Sequence, residues 1–92
     1  MTFMFDPNRA AYDGSVDSVS FYAEGDGQPI ACSVSREALQ DHARTSGRSG
    51  EQLLDIFHDN ASALGRLAKR KFQTRAFEPN GSILIRSVDL SR

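Results

Sequence analysis

The sequence predicts an α+β fold, an antiparallel sheet of four to five strands with two consecutive helices packed on one face. Three observations predict it. Residues 16–34 form two alternating apolar/polar runs around a Gly-rich turn, which reads as an antiparallel hairpin. Residues 36–72 carry apolar side chains at helical spacing. A short apolar run, Ile83-Leu84-Ile85, follows an Asn-Gly turn. Strands, then helices, then strands again indicate an α+β arrangement with the helices gathered on one side.

Taken in order, Phe3-Met4-Phe5 is a short apolar cluster that Asp6-Pro7-Asn8 is expected to stop as a turn. In the first strand of the hairpin Val19, Phe21 and Ala23 share one face. Glu24-Gly25-Asp26-Gly27 makes the turn, and Ile30, Cys32 and Val34 share a face of the returning strand. Ser35 is placed to cap a short helix over 36–43, with Glu37 in its first turn, where the helix dipole favours an acid. A loop spans 45–50. Ser49 and Gln52, three apart, form a capping-box pattern for a second helix. Leu53, Leu54, Phe57, Ala61, Leu64, Ala68 and Phe72 then make one apolar stripe. It predicts a helix of about 22 residues, roughly 33 Å long, with Gly65 as its weak point. Glu78-Pro79-Asn80-Gly81 is the next turn, and residues 82–88 the last strand, with Thr74 to Phe77 as a short strand before it. The expected core is Val19, Phe21, Ile30, Cys32, Val34, Leu53, Phe57, Leu64, Ile83 and Ile85.

The 92 residues, 39% apolar and 25% charged, suit a single domain over 1–92 and argue against disorder. An apolar run of three residues at most is far short of the roughly 20 that span a bilayer, so no membrane association is expected. The opening residues lack the basic and apolar regions of a signal peptide, and one cysteine forms no internal disulfide, so a cytoplasmic location is expected. The net charge of −1 conceals a strong polarity. Residues 1–60 carry four basic and ten acidic side chains, residues 61–92 seven basic and two acidic ones. Such asymmetry marks either an interaction surface or a helix whose charges complement its own dipole.

Several pieces together resemble a known family. They are Val19-x-Phe21, Ile30-x-Cys32-x-Val34-Ser35, Glu37-Ala38-Leu39, Leu53-Leu54-x-Ile56-Phe57, Ala68-x-Arg70-Lys71, and Gly81-Ser82 before Ile83-Leu84-Ile85 with Asp89-Leu90 closing. This combination is similar to the DUF-1488 family of small bacterial proteins of unknown function, over roughly residues 3–90. The resemblance implies a small domain with no assigned role, and it carries over no catalytic or binding residue.

Read on their own chemistry, the residues offer few sites. Cys32, with His42 or His58 as base, is a candidate nucleophile, but its place between Ile30 and Val34 on the inward face favours a buried structural thiol. Asp55, His58 and Asp59 are better read as a solvated helix face than as metal ligands, and no cofactor fingerprint is present. Arg48, Ser49 and Gly50 precede a helix start, where free amides attract anions, but lack the pattern of a phosphate-binding loop. Arg66, Lys69, Arg70, Lys71 and Arg75, with Phe72 and Phe77 nearby, form a basic stretch. It would either contact an anionic partner or complement the end of its own helix. With no convergent set of catalytic groups, the expectation is a non-catalytic protein-interaction or regulatory module with an unidentified protein partner. The alternative is a nucleic-acid-associated protein using the basic stretch, against which the pI near 6.0 weighs. A second copy of the chain is a further candidate partner, covering Leu67 or Phe72 on an overhanging helix.

Overall fold

A computed structural model describes residues 2–15, 17–43 and 49–90, the side chains of His42, Ala43 and Leu90 excepted. Its elements run β1 (Phe3–Asp13), β2 (Ser18–Gly25), β3 (Gln28–Ser35), α1 (Arg36–Ala43), α2 (Gly50–Asp59), α3 (Ala61–Gln73), β4 (Ile83–Ile85) and α4 (Ser87–Leu90). The fold is α+β, with a four-stranded sheet in the order β1-β2-β3-β4.

The hairpin forms as the alternation requires. β2 and β3 pair from Ser18↔Ser35 to Gly25↔Gln28, which leaves a two-residue loop, Asp26-Gly27. Both loop residues have positive φ, 52° and 82°, as a type I′ turn demands. β1 is longer than the turn-forming Asp6-Pro7-Asn8 led us to expect. The strand does not stop there but bulges. Phe3–Asp6 pair with Tyr22–Gly25, Ala11–Asp13 pair with Ser18–Ser20, and Pro7 to Ala10 stand opposite Phe21 alone. An edge strand tolerates this, because proline's missing donor removes no ladder hydrogen bond there, and Asn8 N–H turns back onto Asp6 Oδ1 at 3.0 Å.

The last strand departs further from expectation. β4 covers three residues, not seven, and pairs parallel to β3, Cys32↔Ile83 through Val34↔Ile85, so the sheet is mixed although mostly antiparallel. The chain then coils into α4, and residues 74–78 form turn and irregular backbone instead of a preceding strand. The single 22-residue helix is likewise two helices. Asn60, at φ −115° and ψ 16°, separates α2 from α3, and its side-chain amide donates to the Ile56 carbonyl at 2.8 Å. An asparagine bonding back in this way competes with helix continuation. The apolar stripe survives the interruption, so periodicity alone does not reveal it.

One face of the sheet is covered by the helices. Val19, Phe21, Ala23, Cys32, Val34, Ile83 and Ile85 meet Ala38, Leu39, Leu53, Phe57, Leu64 and Ala68 in a single core. At its centre the rings of Phe5, Phe21 and Phe57 stack edge-on and tilted, with centroids 5.2–6.3 Å apart. Ile30, expected inside, is only partly buried at the rim. Its place is nearest the hairpin tip, where it packs beside Phe72 against Gly25. The helix of roughly 33 Å whose overhang a second copy would cover is likewise not formed. Among the described residues the longest helix has 13 residues, about 20 Å, against a smallest molecular extent of 24 Å. No helix among the described residues is long and apolar enough to cross a membrane.

Candidate interaction surface

The helical repeat divides the basic stretch into separate groups. Arg66, Lys69 and Arg70, at i, i+3 and i+4, lie on the outer side of α3 and are exposed. None of them makes an ion pair among the described residues. Lys71, one residue further on, points another way. Its Nζ lies 3.1 Å from Asp89 Oδ2 of α4, with the two side chains only 15% and 22% exposed. Asp89 Oδ2 also accepts from the Arg86 N–H at 2.8 Å, which fixes the start of α4.

Arg75 lies beyond the helix, exposed, at φ 56°. Its N–H donates to the Phe72 carbonyl at 3.2 Å and the Ala76 N–H to Lys71 at 2.8 Å. These are the two bonds of a Schellman cap, with arginine in the left-handed position that glycine usually takes. The Thr74 N–H and hydroxyl both donate to the Arg70 carbonyl, at 2.9 and 3.0 Å. The carbonyls of Arg70, Lys71 and Phe72 therefore accept from backbone and Thr74 donors, not from the basic side chains. Between α3 and α4 opens a cleft of about 200 Å³, lined by Leu67, Arg70, Lys71, Thr74, Ala76 and Asp89.

The aromatic residues near the stretch face inward. Phe72 packs against Phe3 and Phe77, at 5.4 and 6.1 Å between centroids, and closes over Gly25, where a Cβ would collide with the Phe72 ring. Both rings are partly buried against the core, which reduces the face on which a base would stack. The outer face of α2 is acidic, with Glu51, Asp55 and Asp59 all exposed, so the two successive helices present opposite charge.

The other sequence candidates are not brought together. Of the anion candidates, Arg48 lies outside the described residues. Ser49 Oγ accepts from the Gln52 N–H, and Gln52 Oε1 from the Ser49 N–H, each at 3.1 Å. This capping box uses the helix start internally, and the Tyr12 ring covers Gly50, to whose Cβ it would come within 2.8 Å. Cys32 is 3% exposed, and burial pushes its thiol up to about 12, so it stays protonated at neutral pH. His58 is exposed on α2 whereas Cys32 is buried, and the His42 side chain lies outside the described residues. Among the described residues no three His, Cys, Asp or Glu side chains gather as metal ligands would.

Two arrangements escape sequence reasoning. The Tyr12 hydroxyl donates to Asp17 Oδ1 at 2.8 Å, and Arg36 Nε sits 3.0 Å from Asp17 Oδ2, an ion pair without the alignment of a hydrogen bond. Together they tie β1 to the start of α1. On the open face of the sheet, the Arg9 guanidinium lies 4.5 Å from the Tyr22 ring centroid, brought there by the β1 bulge. The positive φ of 52° at Asp17 and the bulge after Asp6 are tertiary outcomes with no periodic signal.

The profile of a family described as "Protein of unknown function (DUF1488)" matches residues 5–85, from β1 through the end of β4. The chain belongs to the DUF1488 family. A crystal structure of another DUF1488 protein, a protein of unknown function from Shewanella loihica PV-4, superposes with a TM-score of 0.85. The two chains are 22% identical, and the match covers 92% of this chain and 94% of that one. At that identity the likeness is one of fold. No curated protein matches the chain. α4, including Asp89, lies just beyond the matched DUF1488 segment, whereas Arg66, Lys69, Arg70, Lys71 and Arg75 lie within it.

Proposed function

We propose that this DUF1488 domain is a non-catalytic interaction or regulatory module of the cytoplasm that binds an acidic surface of another protein through the outer face of α3. The observation that carries the reading is the row of Arg66, Lys69 and Arg70, exposed on one face and without an ion pair among the described residues. Like charges four apart on a helix repel weakly, and a partner's carboxylates would relieve that repulsion. The left-handed Arg75 adds a cation at the end of the row, at a position where glycine would sit with less strain. A protein partner is favoured over nucleic acid because Phe72 and Phe77 pack inward and the row spans only about 6 Å of helix, too short to follow a phosphate backbone far.

The test is crosslinking and affinity purification from the native host, with the wild-type chain beside the triple variant Arg66→Glu, Lys69→Glu, Arg70→Glu. The expected result is a specific co-purifying protein that the variant loses while keeping its fold. A partner retained equally by the variant overturns the assignment of this face. Binding of single- or double-stranded nucleic acid at about 50 mM salt, with a salt slope that falls by about 0.7–0.9 per cation removed, establishes the nucleic-acid function instead.

A further inference from the structure

We infer that the cleft between α3 and α4 seats a single carboxylate side chain from an acidic segment of that protein partner, with Arg70 as its main cation. This inference rests on the interaction reading above and adds the anchoring point. The cleft already holds one carboxylate beside an ammonium, since Asp89 and Lys71 meet at 3.1 Å with little exposure. That pair is locked, because Asp89 Oδ2 also accepts from the Arg86 N–H. Lys71 is thereby held in place with protons to spare, since an ammonium carries three. Arg70 lines the same cleft, is exposed, and has no ion pair among the described residues.

Two cations and one carboxylate leave the cleft one positive charge in excess. A monoanionic carboxylate balances it, whereas a phosphate dianion overshoots it by one charge and meets the stronger repulsion from Asp89. Thr74 commits its hydroxyl proton to the Arg70 carbonyl, so the cations alone hold the occupant. Leu67 and Ala76 supply apolar walls that suit the methylene groups of Asp or Glu. Size agrees with this reading. About 200 Å³ lies below the range of roughly 300–1,000 Å³ typical of pockets for whole small-molecule ligands or cofactors, and one acidic side chain fits it.

The test is an amide-resolved NMR titration of the full chain with a capped poly-glutamate peptide. Poly-glutamine, inorganic phosphate and oligo-dT serve as comparison probes. The expected result is a salt-sensitive shift of the amides of Leu67, Arg70, Lys71, Thr74, Ala76 and Asp89 with poly-glutamate and none with poly-glutamine. Arg70→Gln, an exposed position, should keep the spectrum dispersed and weaken binding roughly two- to fivefold, the worth of one partly exposed ion pair. Shifts confined to Arg66 and Lys69, unaffected by Arg70→Gln, overturn the cleft and leave the outer-face reading standing. Stronger binding of phosphate or oligo-dT overturns the carboxylate assignment. No shift at about 5 mM peptide, well above a millimolar dissociation constant, overturns the cleft proposal, while the co-purification experiment decides the module reading separately.

Discussion

The ring of Phe5 rests on the bare backbone of Gly65. A Cβ at Gly65 would stand 2.6 Å from Phe5 Cδ2 and 2.9 Å from Cε2. Glycine in a helix interior ordinarily costs about 0.5–1 kcal/mol relative to alanine, but here it admits β1 to close contact with α3. Gly65→Ala should therefore destabilise the domain by about 1 kcal/mol, because overpacking of about 1–3 kcal/mol outweighs the helix gain. Phe5 cannot swing away freely while Phe21 and Phe57 flank it. Denaturant titrations of Gly65→Ala alone and with Phe5→Ala check this, since the sign should reverse once the ring is gone.

Arg75→Gly should stabilise the domain by about 0.5–1 kcal/mol. It relieves the left-handed backbone strain, partly offset by the greater freedom of glycine in the unfolded chain. Arg75→Ala removes the cation and keeps the strain, so it should show no such gain. Thermal melts of the two variants separate backbone from charge.

Phe57 and Leu53 are fully buried beneath the sheet. Phe57→Ala should cost about 3–5 kcal/mol and Leu53→Ala about 2–5 kcal/mol, a large part of a small domain's stability. A loss below about 0.5 kcal/mol for either would mean that the inward face of α2 is misassigned.

Ser49→Ala removes the acceptor for the Gln52 N–H and leaves the Gln52 side chain as the remaining half of the capping box. A cost of about 0.5–2 kcal/mol is expected in the denaturant midpoint. Ser49→Asp should recover most of it.

Cys32 should resist alkylation near neutral pH in the native protein and react once urea unfolds it. Burial raises the folded thiol from 9.0 to about 12, so the folded state keeps its proton to higher pH than the unfolded chain. Its stabilising contribution is thus fully present below pH 9 and is lost as pH rises from 9 toward 12. Tyr12, through its hydrogen bond to Asp17, and Tyr22, through burial, are also raised above 10.0 and act with the same sign. The check is therefore a comparison with Cys32→Ala, whose stability should decline less steeply above pH 9.

What could be read in advance follows the range of the interactions. The β2–β3 hairpin, α1 and the capping box at Ser49 depend on residues within a few positions of each other, and all three stand where the pattern placed them. The direction of β4 does not, because parallel pairing with Cys32–Val34 is decided by the helices between them. Pro7 reads as a breaker in any strand, and only the edge position of β1 makes it tolerable. Asn60 falls in the polar phase of an unbroken stripe, so the helix break carries no apolar signature. The basic stretch was legible as composition, but its division between the outward Arg66 row and the Lys71–Asp89 pair needed the position of α4.

The parallel pairing of β4 also bears on how the chain is made. The hairpin that starts the sheet is complete at Ser35 and closes locally, on the microsecond scale of such turns. The strand that finishes the sheet, Ile83–Ile85, comes only after α1, α2 and α3. A ribosome therefore has to release α1, α2 and α3 before Ile83 and Ile85 can cover the β3 edge. Until then Cys32 to Val34 remain an open template for neighbouring nascent chains. Slow codons placed between Ser35 and Ile85 would lengthen the interval in which that edge stays open.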